Sequence, residues 1–108
     1  MEAKEVLKIG KEVKKATKKL YGNRFESLIL FGSFARGDFH DESDLDLAVV
    51  LKDPTISPSS EILKITSYTS EIEIEHSITI SVFPVAKQKL QLSQLSVYQS
   101  IRNEGITI

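Results

Sequence analysis

Residues 28–51 read LILFGSFARGDFHDESDLDLAVVL, and they hold two apolar runs separated by a polar, glycine-bearing connection. The first run, from Ser27 to Phe31, stops at Gly32-Ser33 and predicts a short buried strand ending in a tight turn. In the second run, Leu45, Leu47 and Val49 fall on one face of a strand, with Asp44, Asp46, Ala48 and Val50 on the other. The two acids at the start of one face are the anomaly. Side chains at i and i+2 project the same way from Cα atoms about 6.6 Å apart, close enough to share a hard cation. Five acids lie between residues 38 and 46, while no lysine or arginine occurs from residue 38 to residue 51. Burying like charges without a local cation is costly. A divalent metal would offset the repulsion.

Working outward, Val6, Ile9, Val13, Ala16 and Leu20 recur at helical spacing and predict a helix from Lys4 to Leu20, ended by Tyr21-Gly22-Asn23. Its seven lysines suit a solvated face with Glu-Lys pairing. Pro54, Pro58 and nearby serines mark a loop, with Ser59 or Ser60 as the expected N-cap of a helix from Glu61. Ile62, Ile65, Thr69 and Ile72 keep helical spacing, although Ile72-Glu73-Ile74-Glu75 also reads as an alternating strand; helix is the preferred reading. A third strand is expected in ITISVFPV, residues 78–85, where Ile78, Ile80 and Val82 alternate with Thr79, Ser81 and Phe83. A final helix follows Ser96 and ends at Gly105. Tyr68 and Tyr98 read as packing residues on their helices.

The 108 residues are sized for one domain, 1–108, and their composition is that of an ordinary globular protein, 41% hydrophobic and 27% charged. Without cysteine there is no disulfide, thiolate zinc site or thiol nucleophile. No apolar run approaches the length of a membrane span, and the N-terminal stretch is too rich in lysine for a signal peptide. The cytoplasm is the expected location, with no membrane partner. A formal charge of −1 argues against general attraction to nucleic acid.

Gly32 permits close backbone approach to a ligand, and Ser33 supplies a hydroxyl where a short helix begins. Phosphate held at that turn could share Mg²⁺ with Asp44 and Asp46. Other motifs fail on chemistry. Gly32–Gly37 has the glycine spacing of a Walker A loop, but Asp38 stands where a lysine is needed. The acids from Glu42 onward lack an EF-hand glycine, because Leu47 occupies its position. His40 and His76 have no metal-ligand spacing to each other and read as ordinary polar residues.

The arrangement of Phe31, Gly32-Ser33, ten intervening residues and Asp44-Leu45-Asp46 resembles the signature of the minimal nucleotidyltransferases of the DNA polymerase beta-like superfamily. The resemblance implies an α/β (α+β) nucleotidyltransferase fold, a small mixed sheet flanked by helices. It also implies transfer of a nucleoside monophosphate, AMP in the first instance, from an Mg-NTP such as ATP to a hydroxyl. Asp44 and Asp46 would bind two Mg²⁺ ions, Gly32 and Ser33 would hold the triphosphate, and Arg36 would neutralise developing charge. Small members of this family pair with an all-helical HEPN-type protein and act as the antitoxin that adenylylates it. Association with a second copy is left open by the resemblance.

The usual third carboxylate on a later strand has no counterpart here. Thr79 and Ser81 occupy the polar face of the third strand, and Glu75 shares its parity but lies ahead of it. The alternative is therefore an impaired nucleotide-binding or partner-binding module that neutralises a toxin by occlusion.

Overall fold

The computed structural model describes residues 2–108. Helix α1 (Ala3–Tyr21) leads through a 3₁₀ turn into β1 (Phe25–Phe31), then the one-turn α2 (Ser33–Arg36) and β2 (Leu45–Leu51). Helix α3 (Pro58–His76), β3 (Ile80–Ala86), α4 (Lys87–Leu92), α5 (Ser96–Glu104) and β4 (Ile106–Thr107) complete the chain. The sheet order is β3-β2-β1-β4. It is mixed, because β2 runs antiparallel to β1 and parallel to β3.

The alternation in β2 sorts the core into two layers, as its sequence requires. Leu45, Leu47, Val49 and Leu51 pack with Leu28, Leu30 and Ile80 against α1 and α3. Ala48 and Val50 face Val85, Leu90, Tyr98 and Ile101, placing α4 and α5 across the opposite face. Asp46 has the parity of Ala48 and Val50, so it belongs to the α4–α5 side of the sheet. Among the described residues no helix is long and apolar enough to cross a membrane.

Several expectations shift. The inner stripe of α1 continues from Val13 through Thr17 and Tyr21, leaving Ala16 and Leu20 only half-buried. Thr17 is tolerated inside because its hydroxyl donates to the Val13 carbonyl at 2.9 Å. No lysine of α1 forms an ion pair among the described residues, and Lys14 instead donates to the Ile108 carbonyl at 2.7 Å. The N-cap of α3 is Ser57, not Ser59 or Ser60, because Pro58 suits the first helical position, where its missing N–H costs no hydrogen bond. On α3 the buried positions are Glu61, Ile65 and Thr69, while Ile62 and Tyr68 are exposed.

The third strand begins at Ile80 because the Ile78 amide is spent on closing α3, donating to the Glu73 carbonyl at 3.2 Å. Gly105 does follow α5, but with φ −64 it is not a left-handed cap. Its lack of a side chain matters for another reason, since a Cβ there would strike the Ile101 carbonyl and the Ile29 side chain. That close approach lets Ile106 and Thr107 pair with β1 as a fourth strand.

Ile65 is fully buried and Ile74 is 80% exposed on the same helix. Ile65→Ala is expected to cost about 2–5 kcal/mol in urea unfolding, while Ile74→Ala stays within about 0.5 kcal/mol.

Candidate functional site

The antiparallel register pairs Phe31 with Asp46. Gly32 therefore leaves β1 beside the residue at which the second acid enters β2. Gly32 has φ 76, a left-handed conformation in which a side chain is strained. A Cβ there would also collide with Asp46 Oδ2. The positive φ is the restraint that favours glycine here, since the Asp46 carboxylate is the movable end of a side chain. Its carbonyl accepts from the amides of Ala35 (3.1 Å) and Arg36 (3.0 Å), starting α2. The amides of Ser33 and Phe34 precede that bonding pattern, as the first amides of a helix do. The glycine turn thus lies against Asp46.

Asp44 is exposed, whereas Asp46 is half-buried. Burial holds the Asp46 carboxyl above the ordinary carboxylate value, and the nearby charge of Asp44 pushes it further the same way. Arg36 acts in the opposite sense. The two carboxylates therefore repel one another in a partly dry setting, the condition a divalent cation relieves. The donor set, two carboxylates beside a bare turn, fits Mg²⁺ shared with phosphate oxygens.

Arg36 is committed to protein partners as well. Its Nε donates to Asp38 at 3.1 Å and its Nη1 to Glu104 at 3.2 Å, tying α2 to the end of α5. These bonds, that to Asp38 foremost, raise its pKa, so it remains cationic.

No carboxylate on β3 joins the pair. Ser81 is the β3 residue in register with Asp46, followed on that face by Phe83. Glu75 is not on a strand approach at all; it sits on α3, grouped with Glu12 and His76. A cavity of about 420 Å³ opens alongside, lined by the stacked pair Phe34 and Phe39, the connection His40–Ser43, and Ser77–Thr79. Its lining stops one residue short of Asp44, and the Leu45 amide donates to the Thr79 carbonyl at 2.9 Å.

A second polar cluster escaped the sequence reading. Buried Glu61 accepts from the Tyr21 hydroxyl at 3.0 Å and from Arg24 at 3.3 Å, and Arg24 also pairs with Asp53 at 3.0 Å. Burial, reinforced by the hydrogen bond to Glu61, drives the Tyr21 hydroxyl pKa upward, so it stays a donor. This cluster joins α1, α3 and the loop after β2. The only sequence signal was an acid on the inner stripe of a helix.

The family model described as polymerase beta, nucleotidyltransferase, matches residues 5–105. A relative from Methanocaldococcus jannaschii, named Putative protein adenylyltransferase MJ0141, is 33% identical over 105 residues, covering 96% of this chain and 99% of that protein. A second protein of that organism with the same description, MJ0604, is 50% identical over 40 residues, 37% of this chain and 40% of its own. Among solved structures, a toxin-antitoxin crystallised with AMP-PNP gives a TM-score of 0.63 at 17% identity, covering 91% of this chain and 70% of the other. A mutant of the toxin-antitoxin MntA-HpeT gives 0.59 at 13% identity, covering 99% and 72%. At those identities the structures establish likeness of fold.

Because its folded-state pKa is raised, ionised Asp46 opposes folding above the carboxylate range, and that penalty fades as pH falls and the group protonates. Asp46→Asn is therefore expected to raise the unfolding midpoint near about pH 7 in chelator. The gain should vanish near about pH 3.5, where the parent carboxyl is also neutral. Chemical denaturation at the two pH values checks both the sign and its disappearance.

Proposed function

The chain belongs to the polymerase beta nucleotidyltransferase family, and on that premise we propose that it transfers AMP from ATP to a hydroxyl on a protein partner. The observation that supports this most directly is the half-buried Asp46, with the charge of Asp44 acting on it, set against a turn at Gly32 whose positive φ strains any other residue. In the reaction, the acceptor oxygen attacks the α-phosphorus in line. A new P–O bond forms as the acceptor hydroxyl loses its proton to solvent, the bond from the α-phosphorus to the bridging oxygen breaks, and pyrophosphate leaves.

Asp44 and Asp46 hold the Mg²⁺, two ions in the full arrangement. Bound there, the metal supplies Lewis-acid stabilisation of the attacking and leaving oxygens. The amides after Gly32 and the Ser33 hydroxyl orient the triphosphate, a positioning role that lowers the entropic cost of in-line geometry. Arg36 stays positive and adds its charge to the same region without leaving Asp38 and Glu104. The name of the archaean relative supports protein as the acceptor class, and the toxin-antitoxin neighbours agree with a toxin as the partner; that the toxin is a HEPN-type helical protein rests on the sequence resemblance alone.

Ser81 opposite Asp46 favours a second reading, in which the chain neutralises its partner by binding alone. A serine hydroxyl is no general base near neutral pH and a poor substitute for a carboxylate ligand. One experiment separates the two. With α-labelled ATP, Mg²⁺ and a HEPN-type helical protein as acceptor, the parent chain is expected to label the partner. Asp44→Asn should label at least about 100-fold more slowly, and EDTA should stop the parent. Equal labelling by parent and variant would reject the transferase assignment. Neutralisation that survives Asp44→Asn combined with Asp46→Asn, with no labelling by the parent, would establish occlusion.

A further inference from the structure

Away from the candidate active site, α1 and α3 bring Glu12, Glu75 and His76 together, with one ligand-capable atom from each lying within 4.8 Å of the other two. Glu12 lies midway along α1, and Glu75 and His76 form the last turn of α3. His76 Nε2 and Glu12 Oε2 are 2.6 Å apart, with the His76 side chain 16% exposed and that of Glu12 33% exposed. Among the described residues no lysine or arginine lies within 4.0 Å of either glutamate carboxylate, on a helix pair where α1 alone carries seven lysines. The hydrogen bond accounts for Glu12 and His76. It leaves Glu75 as a second carboxylate brought to the same point with no basic side chain opposing it.

We infer that Glu12, Glu75 and His76 form a binding site for a borderline-soft divalent cation of the zinc class, bridging α1 and α3. The donor chemistry sets the class. An imidazole nitrogen with two carboxylates suits zinc and its neighbours, whereas magnesium and calcium prefer all-oxygen sets. Two carboxylates and a neutral imidazole match the charge of a dication, and three protein ligands leave one tetrahedral position for water. Two further features act in the same direction. His76 is the final residue of a 19-residue helix, where the carbonyl end of the dipole favours a cation. Partial burial of His76 and Glu12 lowers the local dielectric while exposed Glu75 keeps the site open to entry.

The geometry also states what must move. Ligands at about 2.0–2.1 Å around a tetrahedral ion stand farther apart than 2.6 Å, so the Glu12–His76 hydrogen bond opens slightly as the cation replaces the shared proton. Both are side-chain movements on packed helices, and the backbone of α1 and α3 need not shift. The consequence is a clamp between the middle of α1 and the end of α3, two elements whose other bonded polar link among the described residues is the Tyr21–Glu61 contact, near the last residue of α1 and the first turn of α3.

The test uses the full chain stripped with EDTA, titrated calorimetrically with zinc chloride and separately with magnesium chloride. Zinc is expected to bind one site per chain outside the aspartate pair, so the Asp44→Asn, Asp46→Asn double variant should retain it. Zinc excess that stabilises the folded state tenfold should raise Tm by about 5 °C or more in that variant, with magnesium producing no such rise. Glu75→Gln, at an exposed position that folding does not require, should weaken zinc binding at least about tenfold, and His76→Gln should do the same. Absence of zinc binding in the double variant, or binding there that is unchanged by both Glu75→Gln and His76→Gln, would overturn the assignment.

Discussion

The pairing of β1 with β2 puts Phe31 opposite Asp46, and the polar end of the molecule depends on where that pairing stops. One residue later the chain must turn away through Gly32, in a left-handed conformation, with Asp46 pressed against the position a Cβ would occupy. The carboxylate is thereby half-buried, exposed to the field of Asp44, and kept from the solvent that would otherwise relax it. A structure selected for stability alone would place an apolar or amide side chain there. Retaining an acid costs folding free energy, and the cost is understandable if a cation offsets it in the working state.

The rest of the fold holds that edge rigid. Leu45, Leu47, Val49 and Leu51 are fully buried on one side of β2, and Ala48 and Val50 are buried on the other. A strand fixed through both faces cannot slip register without exposing one whole set, so the position of Asp46 relative to Gly32 is set by the hydrophobic effect rather than by any polar contact at the site. Arg36 adds a second restraint by joining the α2 turn to Asp38 and Glu104. Glu104 in turn sits at the end of α5, whose Ile101 and Tyr98 pack on the same sheet face as Ala48. The short helix after the glycine turn is therefore anchored at both ends, by the sheet and by α5.

The polar contacts between α1 and α3 show a different principle. Tyr21, Arg24, Asp53 and Glu61 satisfy one another around a buried carboxylate, which would be destabilising if any one partner were lost. Each of these residues reads as ordinary in sequence, because nothing local distinguishes an acid with a buried hydroxyl partner forty positions away from one in solvent. The same holds for Glu12, Glu75 and His76: Glu75 and His76 are neighbours in sequence, but Glu12 joins them only through helix packing.

Local pattern was sufficient for α1, β1, β2, α3, β3 and α5, since each carries a period or a run that its backbone state requires. It also grouped Gly32 with Asp44 and Asp46 as one expected site, through shared phosphate and metal chemistry and the family resemblance, whereas the antiparallel register that sets Gly32 against Asp46 belongs to the fold. Helix α4 and strand β4 were not legible. Lys87–Leu92 buries only Leu90, and Ile106–Thr107 is too short to show alternation, so both exist through what they pack against. Sequence fixed the chemistry available at the site, two acids and a bare turn. Only tertiary structure decided that Ser81 is the residue across from Asp46, that Glu75 belongs to a helix on the other side of the sheet, and that Gly105 serves close packing rather than a left-handed turn, because each depends on contacts between segments far apart in the chain.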